Sequence, residues 1–123
     1  MNNAVTDDVE KQVEHIVEII ESKKGEDITL LDVRGVTSIA DYFVLTSGSS
    51  NVHVKAIADE VRIKMKKDDG MLPWHAEGFE ALTWVLIDYV DIVVHVFDRD
   101  KRQYYAIEKL WKDAVTRHVE TDY

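Results

Sequence analysis

The chain has 123 residues, with 24 acidic side chains against 15 basic ones for a formal net charge of −9, and it contains no cysteine. This length suffices for one domain with a single hydrophobic core. The missing cysteines exclude disulfides, thiol catalysis and thiolate metal sites, and the acidic balance argues against wrapping a nucleic-acid backbone. Because we find neither a signal peptide nor an apolar run of about 20 residues, we expect a cytoplasmic protein that does not enter a membrane.

The first half of the chain predicts a helix, two strands and a second helix. Apolar residues at helical spacing place the first helix over residues 8–24, capped by Asp7 or Asp8 and ended by Gly25. Strands are predicted over 28–33 and 42–47. The second helix follows the cap candidates Ser49, Ser50 and Asn51 and ends at Gly70; its buried stripe is Val54, Ile57, Ala58, Val61 and Met65.

Residues 71–78 read as an irregular loop that carries the large apolar side chains of Met71, Leu72, Pro73 and Trp74. Loops keep such groups when they pack locally or meet a partner. Both explanations stay open at this point.

Two β-branched runs around a short polar turn predict an antiparallel hairpin over residues 84–97. Since strand side chains alternate, Trp84, Leu86 and Asp88 share one face. Val85, Ile87 and Tyr89 share the other.

A third helix is predicted after an Asp98 N-cap, with an inner face of Tyr104, Ile107, Leu110, Trp111 and Ala114. The predicted order α-β-β-α-β-β-α indicates an α/β (α+β) domain with a mixed sheet and helices packed on it. We expect this single domain to span residues 8–116, with a flexible N-terminus at 1–7 and a frayed tail at 117–123.

Catalytic chemistry finds little support. Gly48 and Ser49, between a strand and a helix, could hold a phosphate on helix amides, so a vestigial nucleotidyltransferase-like, nucleotide-binding protein is the alternative function. The magnesium carboxylates of such an enzyme are missing, because Asp59 and Glu60 diverge by about 100° on a helix. The five histidines lack metal-ligand spacing, and no cofactor motif is present. We therefore predict no catalytic residue, metal or cofactor, and no enzyme.

The remaining signal is a surface in which aromatic residues lie among acidic ones. Trp84 and Tyr89, with the carboxylates of Asp88 and Asp91, suit a partner that presents arginine or lysine around an apolar patch. Met71, Leu72 and Pro73 extend this predicted partner-binding set. A homodimer contact through the same hairpin is a further possibility.

Five segments, at 38–44, 48–58, 77–78, 84–97 and 102–111, resemble the ribosomal silencing factor family, also called the Iojap-related family, in order and spacing. The resemblance implies a bacterial, non-enzymatic translation repressor with a nucleotidyltransferase-like fold that lacks the catalytic carboxylates. It further implies binding to ribosomal protein fourteen of the large subunit, which blocks association with the small subunit when nutrients are scarce.

Position by position, Trp84, Asp88 and Asp91 match the tryptophan and two aspartates of the family's hairpin, which implies that they contact the partner, with Tyr89 beside them. Two positions depart from the family pattern. Val90 stands where the family usually has glycine, which puts the turn type in question because a β-branched residue resists positive φ. Val52 replaces a usual arginine, which weakens any role for the start of the second helix.

Overall fold

The computed structural model describes residues 4–105 and 107–123. The elements along the chain are α1 (Ala4–Ser22), β1 (Glu26–Asp32), β2 (Tyr42–Gly48), α2 (Asn51–Asp69), β3 (His75–Glu77), β4 (Trp84–Asp88), β5 (Ile92–Asp98), α3 (Arg99–Tyr105), α4 (Ile107–Leu110) and β6 (Val115–His118). The strands form one sheet in the order β3-β4-β5-β2-β1-β6. Only the β2–β5 pairing is parallel among these neighbours, so the predicted α+β class with a mixed sheet is confirmed.

Helices α1 and α2 pack against one face of the sheet, where the main core lies. The predicted α2 stripe is fully buried there, together with Val85 and Ile87 from β4. The ends of α2 also form as predicted. The Ser50 hydroxyl accepts the His53 backbone N–H at 3.2 Å, and Gly70 ends the helix with φ of 64°.

The opposite face of the sheet is covered only in part, and we call it the open face. Its residues from the strands are Leu31, Phe43, Leu45, Trp84, Leu86, Val93, His95 and Phe97. Ile107 and Ala114 are buried against it and Trp111 is half-buried. The predicted third helix corresponds to α3 and α4, which flank residue 106, a position outside the described residues, and α4 ends at Leu110. Leu110 is 76% exposed, so it does not belong to the predicted inner face, and the side chain of Tyr104 lies outside the described part of the structure.

The start of the chain differs from the prediction. Helix α1 already includes Ala4, the first described residue, so Asp7 and Asp8 lie inside the helix and are not its N-cap. Residues 1–3 of the expected flexible N-terminus lie outside the described residues. At the other end the helix stops at Ser22, and Lys24 takes the left-handed conformation with φ of 60° before Gly25.

The end of the chain is part of the fold, so the frayed tail expected at 117–123 is wrong. β6 pairs antiparallel with β1, and the Val119 N–H donates to the Ile28 carbonyl at 2.9 Å. The Tyr123 hydroxyl donates to the Gly25 carbonyl at 2.6 Å. The β6 pairing and the Val119 bond satisfy backbone groups of β1 that would otherwise form a bare edge.

Candidate protein-docking face

Trp84 lies half-buried on the open face, near the β3 edge of the sheet. Its Nε1–H donates to His95 Nδ1 at 3.0 Å, and its ring stacks on Phe97 with centroids 5.4 Å apart. The hydrogen bond and the stacking together fix the orientation of the indole. Leu86, two residues along the same strand, is also half-buried and extends the apolar surface.

His95, which orients Trp84, is 3% exposed. Its neighbours include the rings of Phe43, at 5.2 Å, and Phe97, at 6.1 Å. Burial in this apolar setting lowers the pKa of His95 to about 4. Because Nδ1 accepts the indole N–H, the neutral ring carries its proton on Nε2, which has no hydrogen-bond partner among the described residues.

Asp88 and Asp91 lie at the β4–β5 turn, as predicted, but their roles differ. Asp88 is half-buried, and its Oδ1 accepts the Val90 N–H at 2.7 Å, which closes the turn. Val90 adopts φ of 77°, the left-handed conformation. Asp91 is exposed, and its backbone carbonyl accepts the N–H groups of Asp41 and Tyr42. Asp88 therefore shapes the turn, whereas the carboxylate of Asp91 faces solvent.

Tyr89 does not join the surface around Trp84. It is 6% exposed and packs in the core beneath α1 and α2. Burial raises the pKa of its hydroxyl to about 12, although Arg62 acts in the opposite direction. Tyr89, which the sequence places beside the partner-contacting residues, therefore lies on the opposite face of the sheet from Trp84, as strand alternation predicts, and is buried there.

The loop residues Met71, Leu72 and Pro73 lie on the α2 side of the sheet and not on the open face. Met71 is half-buried against the main core. Leu72 is 68% exposed, and with Pro73 it lines a groove of about 380 Å³ along α2. Trp74 is 76% exposed, so it is more exposed than the half-buried Trp84. The predicted partner-binding set thus divides between two surfaces.

Sequence reasoning missed the contribution of β3 to the open face. His75 lies opposite Asp88, and Glu77 lies opposite Leu86, in the antiparallel β3–β4 pairing. Their side chains are exposed and lie 3.1 Å apart at His75 Nε2 and Glu77 Oε2. Only alternation over three residues could have indicated this strand, and the preceding apolar loop obscured it.

The alternative phosphate site at Gly48 and Ser49 is already occupied by the chain itself. The Ser49 N–H donates to His53 Nδ1 at 2.8 Å, and His53 Nε2 lies 2.8 Å from the Lys23 carbonyl. A phosphate would have to displace this imidazole to reach the Ser49 amide. Among the described residues, no group of three or more His, Asp or Glu side chains could hold a metal ion.

The family model described as "Ribosomal silencing factor during starvation" matches residues 6–122. The chain belongs to the ribosomal silencing factor family. The resemblance read from the sequence is therefore confirmed. Among the described residues of the chain, no helix is long and apolar enough to cross a membrane.

Three similar proteins illustrate this membership of the ribosomal silencing factor family. The chain is 43% identical over 104 residues to "Ribosomal silencing factor RsfS" of Halalkalibacterium halodurans, covering 85% of this chain and 88% of that one. A crystal structure from Chromobacterium violaceum, 39% identical, matches with a TM-score of 0.81 over 84% of this chain and 85% of the other. A mouse relative, 27% identical over 104 residues, is named "Mitochondrial assembly of ribosomal large subunit protein 1"; the match covers 80% of this chain and 44% of that protein.

Proposed function

We propose that this chain is a cytoplasmic, non-enzymatic translation repressor that binds ribosomal protein fourteen of the large subunit through its open face. Binding prevents association with the small subunit when nutrients are limited. The observation that carries the proposal is the fixed, half-buried Trp84 on a sheet face that the chain's own helices leave partly uncovered. The names of the relatives support the ribosomal role.

A tryptophan in this setting suits an anchor residue of a protein interface. Tryptophan is enriched among residues whose loss costs about 2 kcal/mol or more of binding energy. The hydrogen bond to His95 and the stacking on Phe97 orient the ring before binding, so less side-chain entropy is lost when a partner docks.

The charge around Trp84 favours a basic protein over nucleic acid. Asp88 and Glu77 lie beside the apolar strip of Trp84 and Leu86 on the open face. The chain as a whole carries a formal net charge of −9, which repels ribosomal RNA. Acidic side chains of this kind accelerate association with a basic protein and select its orientation.

The mechanism requires only occlusion. With the open face on the large subunit, α1 and α2 project from the other side of the sheet. We propose that their volume overlaps the position of the small subunit, so subunit joining and repressor binding exclude each other. No bond is made or broken.

Titration of labelled protein against purified large subunits tests the docking face. Trp84→Ala should weaken binding about 30-fold, which corresponds to about 2 kcal/mol. Ile63→Ala is the matched control, because Ile63 is 58% exposed on α2, on the other side of the sheet; it should bind like the unaltered protein. Leu86→Arg provides a second variant on the open face that leaves the Trp84–His95 contact in place.

Circular dichroism must show that each variant folds. Full-affinity binding by both folded open-face variants would overturn the site assignment. Failure of the unaltered protein to bind large subunits, or to reduce subunit joining in a sucrose gradient, would overturn the proposed function itself.

A further inference from the structure

A second concave surface lies on the other side of the sheet, between α1 and the edge strand β6. We call it the α1–β6 groove. Its volume is about 680 Å³, which lies in the range of binding clefts. Val13, Leu30 and Val115 supply apolar lining. The rim on α1 consists of Glu10, Glu14 and Glu18, with Lys11 beside them.

The groove arises because α1 does not cover the last strand of the sheet. Leu30 of β1 is 6% exposed, whereas Val115, in the adjoining strand, is 73% exposed. Through the β1–β6 register, Val115 and Arg117 lie on the same side of the sheet as α1. An apolar side chain at this edge therefore faces a space that the chain itself does not fill.

The rim is an acidic row on α1. Glu10, Glu14 and Glu18 follow one another at a spacing of four residues and are all exposed, so they lie along one side of the helix. Like charges at this spacing destabilise a helix slightly. Three carboxylates beside the apolar lining of the groove are complementary to a ligand in which lysine or arginine side chains lie next to apolar ones.

One cation of the chain already shows how such a contact is made. The Arg117 guanidinium binds Glu14 Oε1 at 2.5 Å, and both side chains are 57% exposed. A pair this exposed contributes at most about 1 kcal/mol, so an incoming arginine or lysine can replace Arg117 at small cost. Glu10 is also engaged, by the Tyr42 hydroxyl at 3.3 Å.

The edge strand adds backbone recognition. β6 is the last strand in the sheet order, and alternate backbone groups of an edge strand point away from the sheet. An extended peptide can pair with such an edge while its alternate side chains enter the adjoining groove.

We propose that the α1–β6 groove binds an extended protein segment rich in lysine and arginine with apolar residues between them. The acidic rim repels nucleic-acid phosphates. A second copy of this chain is disfavoured as the occupant, because it carries the same acidic excess. The groove and the open face lie on opposite sides of the sheet, so this inference does not rest on the proposed function.

The test is NMR titration of the ¹⁵N-labelled full chain with a synthetic peptide in which Lys-Val-Arg-Leu is repeated three times. We expect shifts at the amides of Val13, Leu30 and Arg117. Glu14→Lys combined with Glu18→Lys should weaken binding about tenfold or more. The matched control combines Glu80→Lys with Asp113→Lys, which raises the net charge equally at exposed positions outside the groove; it should change affinity less than about twofold.

A second variant, Val115→Arg, leaves α1 intact and places a cation in the groove, and it should also abolish the shifts. If both double variants weakened peptide binding equally, net charge alone would explain the effect, and the proposal would be overturned. Shifts centred on the open face, tighter binding of a 12-nucleotide oligouridylate than of the peptide, or self-association of the free chain through the groove would also overturn it.

Discussion

The buried histidine beneath Trp84 makes the stability of this protein depend on pH. Burial lowers the pKa of His95 from its ordinary 6.5 to about 4 in the folded chain. The unfolded chain, in which His95 is hydrated, protonates it near its ordinary pKa. The unfolded state therefore binds more protons between these two values, and the free energy of unfolding falls as the pH is lowered through this window.

The size of the effect follows from the width of the window. Each pH unit in which only the unfolded chain is protonated costs about 1.4 kcal/mol. The loss from His95 is thus about 2 kcal/mol between pH 6.5 and pH 5, and on the order of 3 kcal/mol by pH 4. Against a typical total of about 5–15 kcal/mol, this is a large fraction.

Other titrating groups act elsewhere or in the opposite direction. Hydrogen bonds from Arg99 and Arg34 lower the pKa values of Glu26 and Asp32, so their stabilisation is lost only below the ordinary values of 4.5 and 3.8. The hydrogen bond to Asp69 raises the pKa of His15, which stabilises the fold below pH 6.5 and is lost as the pH rises through the raised value. Above about pH 5 the two carboxylates therefore contribute no change, and the opposing contribution of His15 cancels when His95→Asn is compared with the unaltered protein.

Urea unfolding followed by tryptophan fluorescence at about pH 7, 6 and 5 measures this slope. His95→Asn cannot titrate, and its side-chain oxygen can replace Nδ1 as the acceptor for Trp84. We expect this variant to be less stable at pH 7 because of the smaller side chain, with the deficit shrinking by about 2 kcal/mol at pH 5. His75→Asn, at an exposed histidine, is the control. A deficit of His95→Asn that stays constant with pH would refute the argument.

Two further predictions concern the turn and the tail. Val90→Gly should raise the free energy of unfolding by about 1 kcal/mol, because φ of 77° is costly for a β-branched residue. The control is Val52→Gly in the exposed first turn of α2, which should lower the free energy of unfolding by about 0.5 kcal/mol. A lower free energy of unfolding for Val90→Gly would contradict the claim that the backbone at Val90 is strained. Tyr123→Phe should lower the free energy of unfolding, measured in urea, by about 1 kcal/mol, since the hydroxyl donates to the Gly25 carbonyl. An unchanged free energy of unfolding would instead favour the frayed tail that the sequence alone indicates.

Local pattern was sufficient for features that depend on nearby residues. The apolar spacing of α2, its Ser50 cap and its Gly70 end each involve residues within a few positions of one another, and all three form as predicted. The pairing of β4 with β5 is equally local, because a short turn leaves the two strands little choice of register.

Features formed by distant pairing could not be predicted in this way. β6 becomes a strand because it completes the edge of β1, about 85 residues earlier in the chain. Its short segment has no hydrophobic pattern of its own, since all four side chains are exposed. The three-residue β3 likewise owes its strand conformation to pairing with β4.

The sequence by itself determined that Trp84, Leu86 and Asp88 lie on one face of the hairpin and Tyr89 on the other, because alternation is a property of the extended backbone. Only the tertiary structure decided which face α1 and α2 cover, since both faces are apolar and either could have been the core. That choice buries Tyr89 and leaves Trp84 half-exposed above His95. The candidate docking face is therefore set by helix packing across the sheet, which no periodicity within the hairpin encodes.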